Sequence, residues 1–454
     1  MSHLPSDGPL SRRDLLKAAA GASGVAALTP RLAAALTPPA HLAPTGTMMG
    51  VPFRRHETVR LAIVGTGLRG RSVLNEFLAI DGVRITALCD IAPEKAARAA
   101  KMITDKGHPA PALYTAGERD FERLVQRDDI DVVYTATPWD WHVPVCLAAL
   151  RAGKHAATEV PAATTLEECW ALVHASEAAQ RHCMMLENCN YDFNEMLVLQ
   201  MVKAGAFGDL LHCEGAYIHD LRALLFEDQD EGLWRRRPHT ERGGNFYPTH
   251  GLGPLAWYLD IHKGDRFDYL VSMSSADLGL AAYRAANIPA DSPKQQERYV
   301  AGDFSSSLIR TVRGRTISLQ HNVTLPTPYS RLNVVRGTKG AFMDYPGRIY
   351  LEGQPGGHRW RPVDDALKAQ YTHPLWTRIG EIARAKGGHG GMDYIMAFRL
   401  VEAMRLGEVP DFDVYDAAAW SAPWPLSEAS VALSSAPVQF PDFTRGGWRT
   451  AAAR

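Results

Sequence analysis

The stretch that most narrows what this chain can fold into is Val59–Val73, VRLAIVGTGLRGRSV. An apolar run, Leu61 to Val64, ends at Gly65, and Gly67 and Gly70 complete a G-x-G-x-x-G pattern. Beyond it Leu74, Phe77, Leu78 and Ile80 recur at helical spacing. That order predicts a buried strand, a tight turn and a helix whose open backbone N–H groups can hold a pyrophosphate. Glycines alone are a weak signal, and their context strengthens it. Val83–Cys89, VRITALC, reads as a second strand leading to Asp90, twenty residues past Gly70. A carboxylate there accepts hydrogen bonds from the adenosine ribose hydroxyls and repels a 2′-phosphate, so the expected cofactor is NAD rather than NADP.

Strand and helix patterns then alternate. Helices are expected at Pro93–Ile103, Phe121–Val125 and Val143–Ala152, with a capped one running from Thr164 or Thr165 to Arg181. Strands are expected at Ile130–Ala136, His155–Thr158 and Cys183–Leu186. Repeated units of this kind make an α/β fold, an N-terminal Rossmann domain with a doubly wound parallel sheet. The second half changes character. Leu210–Ile218, Tyr269–Ser274, Ser305–Arg310, Thr316–Asn322 and Arg331–Gly337 are short strands between Gly/Pro/Asp turns, and Asp393–Met404 is a late helix. This predicts an α+β domain with a mainly antiparallel sheet, packed over the nicotinamide end of the first domain, its exposed face suited to a homodimer. The last thirty residues are Ser/Pro/Ala-rich and poorly patterned.

The chain has 454 residues, a net charge of −1 and no long basic run, which argues against a nucleic-acid partner or a polybasic membrane surface. Its six cysteines form no C-x-x-C pair or other metal-ligand spacing, so no metal is expected and the thiols read as small buried hydrophobes. Near the start, Ser11-Arg12-Arg13-Asp14-Leu15-Leu16-Lys17 precedes an Ala/Gly-rich run and then Ala33-Ala34-Ala35. This resembles a twin-arginine export signal, with Leu15 where phenylalanine is commonest. Gly, Ser, Thr and Pro interrupt the apolar run, so no stable membrane anchor is expected. The expected organisation is therefore a signal peptide over 1–35, a linker over 36–57, the Rossmann domain over 58–188, a substrate domain over 189–440 and a tail over 441–454. Export by that route, to the periplasm, suits a folded protein that acquires a cytoplasmic nucleotide.

The glycine turn, Thr137-Pro-x-x-x-His142 and Glu159-x-Pro161 together resemble the glucose–fructose oxidoreductase/inositol dehydrogenase superfamily. Members usually carry lysine in the middle of Glu-x-Pro, beside the reacting sugar hydroxyl. Here Val160 stands there, and valine cannot relay a proton. EVPAA, together with VGTGLRG, TPWDWHVP, MMLENCNYD, HCEGAYIHDLR and GGNFYPTHGLGP, resembles glycoside hydrolase family 109, the NAD-dependent glycosidases typified by α-N-acetylgalactosaminidase. The resemblance runs from about residue 55 to about residue 440 and includes the export signal.

That resemblance implies roles for matching residues. Gly65, Gly67, Leu68, Arg69 and Gly70 form the nucleotide turn, and Asp90 holds the ribose. Trp139, Asp140, Trp141 and His142 lie beside the cofactor, whose nicotinamide half meets Glu159, Val160 and Asn188. Substrate contacts are expected from Tyr217, Arg235, Tyr247, Pro248, Thr249, His250 and Tyr329. Arg235 is chosen among three consecutive arginines because it follows Trp234 and its spacing to Tyr247 fits. The implied course is oxidation at the third sugar carbon, proton loss at the second, elimination of the aglycone, hydration, and return of the hydride, an exception to two-carboxylate hydrolysis. Its base needs a pKa near neutrality, favouring His or Tyr. His250, in a polar Gly-flanked loop, leads; Tyr217, Tyr191 and His219 are alternatives, and His219 and Asp220 either orient one another or form a solvated turn. A periplasmic NAD(P)-dependent sugar oxidoreductase is the competing expectation.

Overall fold

A computed structural model describes residues 45–355 and 357–451; the expected export signal lies outside them. The first domain lays down β1 (Val59–Val64), α1 (Leu68–Phe77), β2 (Val83–Cys89), α2 (Pro93–Asp105), β3 (Ala112–Tyr114), β4 (Val132–Thr135), α3 (Trp139–Arg151), β5 (His155–Thr158), α4 (Leu166–Ala179) and β6 (Cys183–Met185). Its six strands pair in parallel in the order β3-β2-β1-β4-β5-β6. β1, β4 and β5 are short apolar runs because helices cover both sheet faces, leaving no solvent side to demand alternation. α4 starts at a complete capping box between Thr165 and Glu168. α3 begins at Trp139, four residues before the expected Val143. The discrepancy traces to Pro144, which reads as a boundary in sequence but sits inside the helix.

The second domain contributes α5 (Phe193–Lys203), β7 (Leu210–Ile218), α6 (Thr249–Tyr258), β8 (Phe267–Ser274), α7 (Gly279–Asn287), β9 (Ser305–Thr311), β10 (Thr316–Asn322), β11 (Val334–Gly337), β12 (Gly340–Met343), β13 (Arg348–Leu351) and β14 (Arg361–Pro362). α8 (Pro374–Lys386), α9 (Met392–Leu406), α10 (Val414–Ser421), α11 (Pro423–Ala432) and β15 (Val438–Gln439) complete it. Nine strands form one sheet in the order β14-β13-β12-β11-β7-β10-β9-β8-β15. All pairings are antiparallel except that of β7 with β10. β9 alternates strictly between buried and exposed residues, so one face looks inward, where α6 lies on β7 and α11 on β8.

Three segments depart from the sequence expectation. The described part of the last thirty residues belongs to the fold: most of α11 and all of β15 fall there, and Phe443 is fully buried against Trp170 at 4.7 Å between ring centroids. Met48 and Phe53, in the stretch expected to be a linker, are buried, and the Phe53 amide donates to the Glu408 carbonyl at 2.9 Å. The expected polar loop at Pro248–Pro254 is the first half of α6.

Packing explains that helix's glycines. A Cβ on Gly251 would stand 2.4 Å from the Ala216 amide nitrogen, and one on Gly215 would stand 2.3 Å from the Gly251 carbonyl oxygen. Helix and strand backbones therefore touch directly, which only glycine permits, and this contact sets the distance from Tyr217 on β7 to His250 on α6. Gly251→Ala should lower unfolding free energy by about 1–3 kcal/mol, as expected for overpacking, measured as a fall in the urea midpoint at unchanged slope.

Candidate active site

A cavity of about 330 Å³ opens at the carboxyl ends of β1, β2, β4 and β5, where ligands bind in open parallel sheets. Gly65 has φ +86°, a conformation that suits glycine, and a Cβ on Gly70 would strike the Gly65 carbonyl oxygen at 2.0 Å. Gly67 differs: a Cβ there would meet nothing within 4 Å. Gly67 is also the N-cap of α1, and no side chain caps that helix, so its first N–H groups remain open to an anion. These features fit a dinucleotide. Asp90 is held in place by the Thr66 amide at 2.7 Å, the Thr66 hydroxyl at 2.9 Å and the Ala92 amide at 2.9 Å.

Leu68, Trp139, Trp141, His142, Glu159 and Val160 line the cavity as expected. His142 is buried with both ring nitrogens against carbonyls, Nδ1 at 2.7 Å from Pro161 and Nε2 at 2.9 Å from Thr137, and burial pushes its pKa down. It braces the wall. Arg69 turns inward, with Nε 3.0 Å from Glu159 and Nη1 2.8 Å from Asp393. Asn188 donates to the other Asp393 oxygen at 2.6 Å, and Tyr134 donates to Glu159 at 2.7 Å. Burial alone would raise the Asp393 pKa; Arg69 and His389 overcome it and hold the carboxyl well below the usual range. Asp140 points elsewhere: it is exposed and lies 3.3 Å from Arg237.

The wall opposite comes from the second domain. A strap over 230–235 and Tyr247 face the cavity. Of the three consecutive arginines only Arg235 lines it, paired with Glu231 and lying over the rings of Tyr247, Trp139 and Trp234. Arg236 pairs with Glu297 and Arg237 with Glu241. Tyr247 connects this wall to a second group of rings, standing 4.6 Å from Tyr217 and 4.8 Å from His250 between centroids. Tyr217 and His250 are 5.4 Å apart, and Tyr329 stands 6.2 Å from Tyr217. Pro248 and Thr249 are buried at the start of α6.

His250 is oriented by a residue the sequence reading did not single out. Its Nδ1 lies 2.7 Å from Oε1 of Glu187, a carboxylate fully excluded from solvent. Burial pushes the Glu187 pKa up, but His250, Thr249 and the Cys189 amide outweigh it and hold the group low. Its signal in sequence was positional, a carboxylate just past a buried parallel strand, β6. Glu187, Cys189 and His250 also present ligand atoms within 4.8 Å of one another, close enough for a metal ion, although the cysteine spacing carried no such pattern.

The other base candidates separate. Tyr191 is buried in the core, its hydroxyl donating to Asp411 at 2.7 Å and its ring packed on Trp257 and Phe412, so it does not face the His250 group. Tyr217 does, and its hydroxyl is 3.3 Å from Nδ1 of His219. Burial raises the Tyr217 pKa and lowers that of His219. Of the two readings of His219-Asp220, the structure takes the solvated turn: Asp220 is exposed and its carboxylate accepts from Arg222 at 2.8 and 2.9 Å, a geometry set by the turn into residues 222–225.

Comparison with known proteins matches both halves. Residues 59–187 match the oxidoreductase family with an NAD-binding Rossmann fold, and residues 191–450 match the glycosyl hydrolase 109 C-terminal domain. A glycosyl hydrolase family 109 protein of Solibacter usitatus is 53% identical over 447 residues, covering 97% of this chain and 98% of that one. One from Saccharopolyspora erythraea is 54% identical over 446 residues, covering 97% and 96%. A levoglucosan dehydrogenase solved with NADH and levoglucosan superposes with a TM-score of 0.65 at 20% identity, over 85% of this chain and all of that one. An inositol dehydrogenase homologue of Azotobacter vinelandii, solved with NAD⁺, gives 0.63 at 18% identity, over 86% and 99%; these two show a shared fold. By its sequence over nearly the whole length, the chain belongs to glycoside hydrolase family 109, a glycosidase family carried here on an NAD-binding oxidoreductase fold.

Proposed function

We propose that this enzyme hydrolyses terminal N-acetylgalactosaminyl or related glycosides by oxidation, elimination, hydration and reduction, without net consumption of NAD. The choice of sugar rests on the motif resemblance. The observation that carries the chemistry is the His250–Glu187 pair at the end of a ring-lined path from the dinucleotide cavity, beside a wall where Val160 leaves no lysine to serve as base. When bound, NAD supplies the hydride acceptor and donor.

The chain's own residues supply the proton chemistry. With its Nδ1–H donated to Glu187, His250 keeps the Nε2 lone pair free to take a proton from the second sugar carbon, and the buried carboxylate fixes that tautomer and steadies the imidazolium formed. Tyr217, its pKa raised by burial, stays protonated and offers an O–H to the oxygen on which negative charge develops. Arg235 holds a positive charge beside the same rings, kept there by Glu231 and aromatic faces. Tyr247 and Tyr329 supply flat apolar surface for a sugar ring.

His250→Ala should lower kcat by about 10²–10⁴-fold and abolish exchange of the second-carbon proton with solvent deuterium, followed by NMR; undiminished exchange rejects the assignment. Glu187→Gln should impair the same exchange while NADH binding, read by fluorescence, stays intact. During turnover of a nitrophenyl glycoside, nitrophenol should accumulate with flat absorbance at the NADH band; stoichiometric NADH would instead identify a sugar dehydrogenase. The Ser11–Lys17 motif supports export of the folded protein to the periplasm, and replacing Arg12 and Arg13 together with lysine should leave it in the cytoplasmic fraction.

A further inference from the structure

The dinucleotide cavity is lined by three cationic side chains, and each already has a carboxylate. Arg69 is held by Glu159 and Asp393, Arg235 by Glu231, and Lys95 by Asp230 at 3.0 Å. Like Arg69 with Asp393, the last pair joins the two domains, but here a lysine is held by a single carboxylate. Lys95 lies in the first turn of α2, five residues after Asp90, whereas Asp230 belongs to the second-domain strap. Lysine is a compact charge on a flexible stem and binds phosphate readily when uncommitted. Lys95 and Asp90 line the same cavity, and a cation near the carboxylate that takes the ribose is what accommodates the 2′-phosphate of NADP.

We infer that Asp230 is a specificity-determining residue for the cofactor: by pairing with Lys95 it withdraws the one ammonium on the described cavity wall that would accept a 2′-phosphate, and it adds a negative charge of its own. Discrimination between the dinucleotides is thus shared between the Rossmann domain, through Asp90, and a residue 140 positions later in the chain. The inference rests on the NAD-binding site described above and assigns nothing to the sugar chemistry.

Asp230 has φ +44°, a left-handed conformation that asparagine tolerates, so Asp230→Asn removes the charge with least disturbance of the turn. The full-length protein is loaded with NADH, and its displacement by NAD⁺ and by NADP⁺ is followed by fluorescence. Asp230→Asn should lower the ratio of the NADP⁺ to the NAD⁺ constant about tenfold, the scale of freeing one partly solvated ammonium. Lys95→Met should leave the ratio within about twofold, and Lys95→Met combined with Asp230→Asn should cancel the gain. Equal weakening of both dinucleotides in Asp230→Asn, or a gain that persists in the double variant, overturns the role of Asp230. Absence of any NADH uptake by the parent protein overturns the NAD site itself and this inference with it.

Discussion

Arg69 is the point through which the two domains become one site. It follows Leu68 in the nucleotide turn, yet its guanidinium reaches Glu159 after β5 and Asp393 in the first turn of α9. Arg69 is half-buried, but the Asp393 it serves is wholly buried, and a buried carboxylate left without its cation typically costs about 3–5 kcal/mol. Asp393 then takes Asn188 and His389 on its remaining lone pairs. The nucleotide turn, the end of β5 and the start of α9 are thereby tied to one another, and these contacts hold the shape of the cavity wall.

The same logic recurs at His250. Glu187 is fully buried, and one of its oxygens serves both the Cys189 amide and the imidazole. A carboxylate so placed is useful only if a proton donor faces it, and α6 delivers one because glycines at 215 and 251 let helix and strand meet backbone to backbone. The two charge arrangements lie on opposite sides of the Asn188 turn: Asn188 serves Asp393, and Glu187 serves His250. One short connection after β6 thereby links the part of the site that shapes the cofactor cavity to the part suited to moving a proton.

Much of this was legible in sequence where one rule acted alone. The Rossmann half announced itself because strands buried on both faces are apolar runs and the intervening helices carry period and caps. Elements failed to show where rules conflicted. α6 carries Gly251, Gly253 and Pro254, turn residues by composition, but the glycines answer to close packing on β7 and on Asn190 rather than to a loop. α10 and α11 are apolar on most sides because they are buried on most sides, so no amphipathic period marks them. In the site, motif positions led to Tyr217, Arg235, Tyr247 and His250, whereas Tyr191 proved a core residue and Asp220 chose Arg222 over His219. Asp393 gave no local hint of its place in the site, since Asn188 and Arg69, the partners that bring it there, lie some two hundred and three hundred positions away.

Charge placement around the cavity also bears on how a hydrolase keeps a redox cofactor. With all three lining cations committed to carboxylates, the pyrophosphate is left to the uncapped N-terminus of α1 and the open backbone at Gly67, groups that hold an anion without side-chain rearrangement. The remaining enclosure comes from the strap at 230–235, tied to the first domain by Lys95 and, just beyond it, by Arg237 to Asp140. That strap carries Arg235, the residue that reaches the ring group around His250. The segment that walls the dinucleotide cavity is therefore also the one that sets Arg235 against the rings around His250. Under the proposed course the cofactor is needed at both the first and the last step of each turnover, and a wall shared between its cavity and the ring group around His250 suits that requirement.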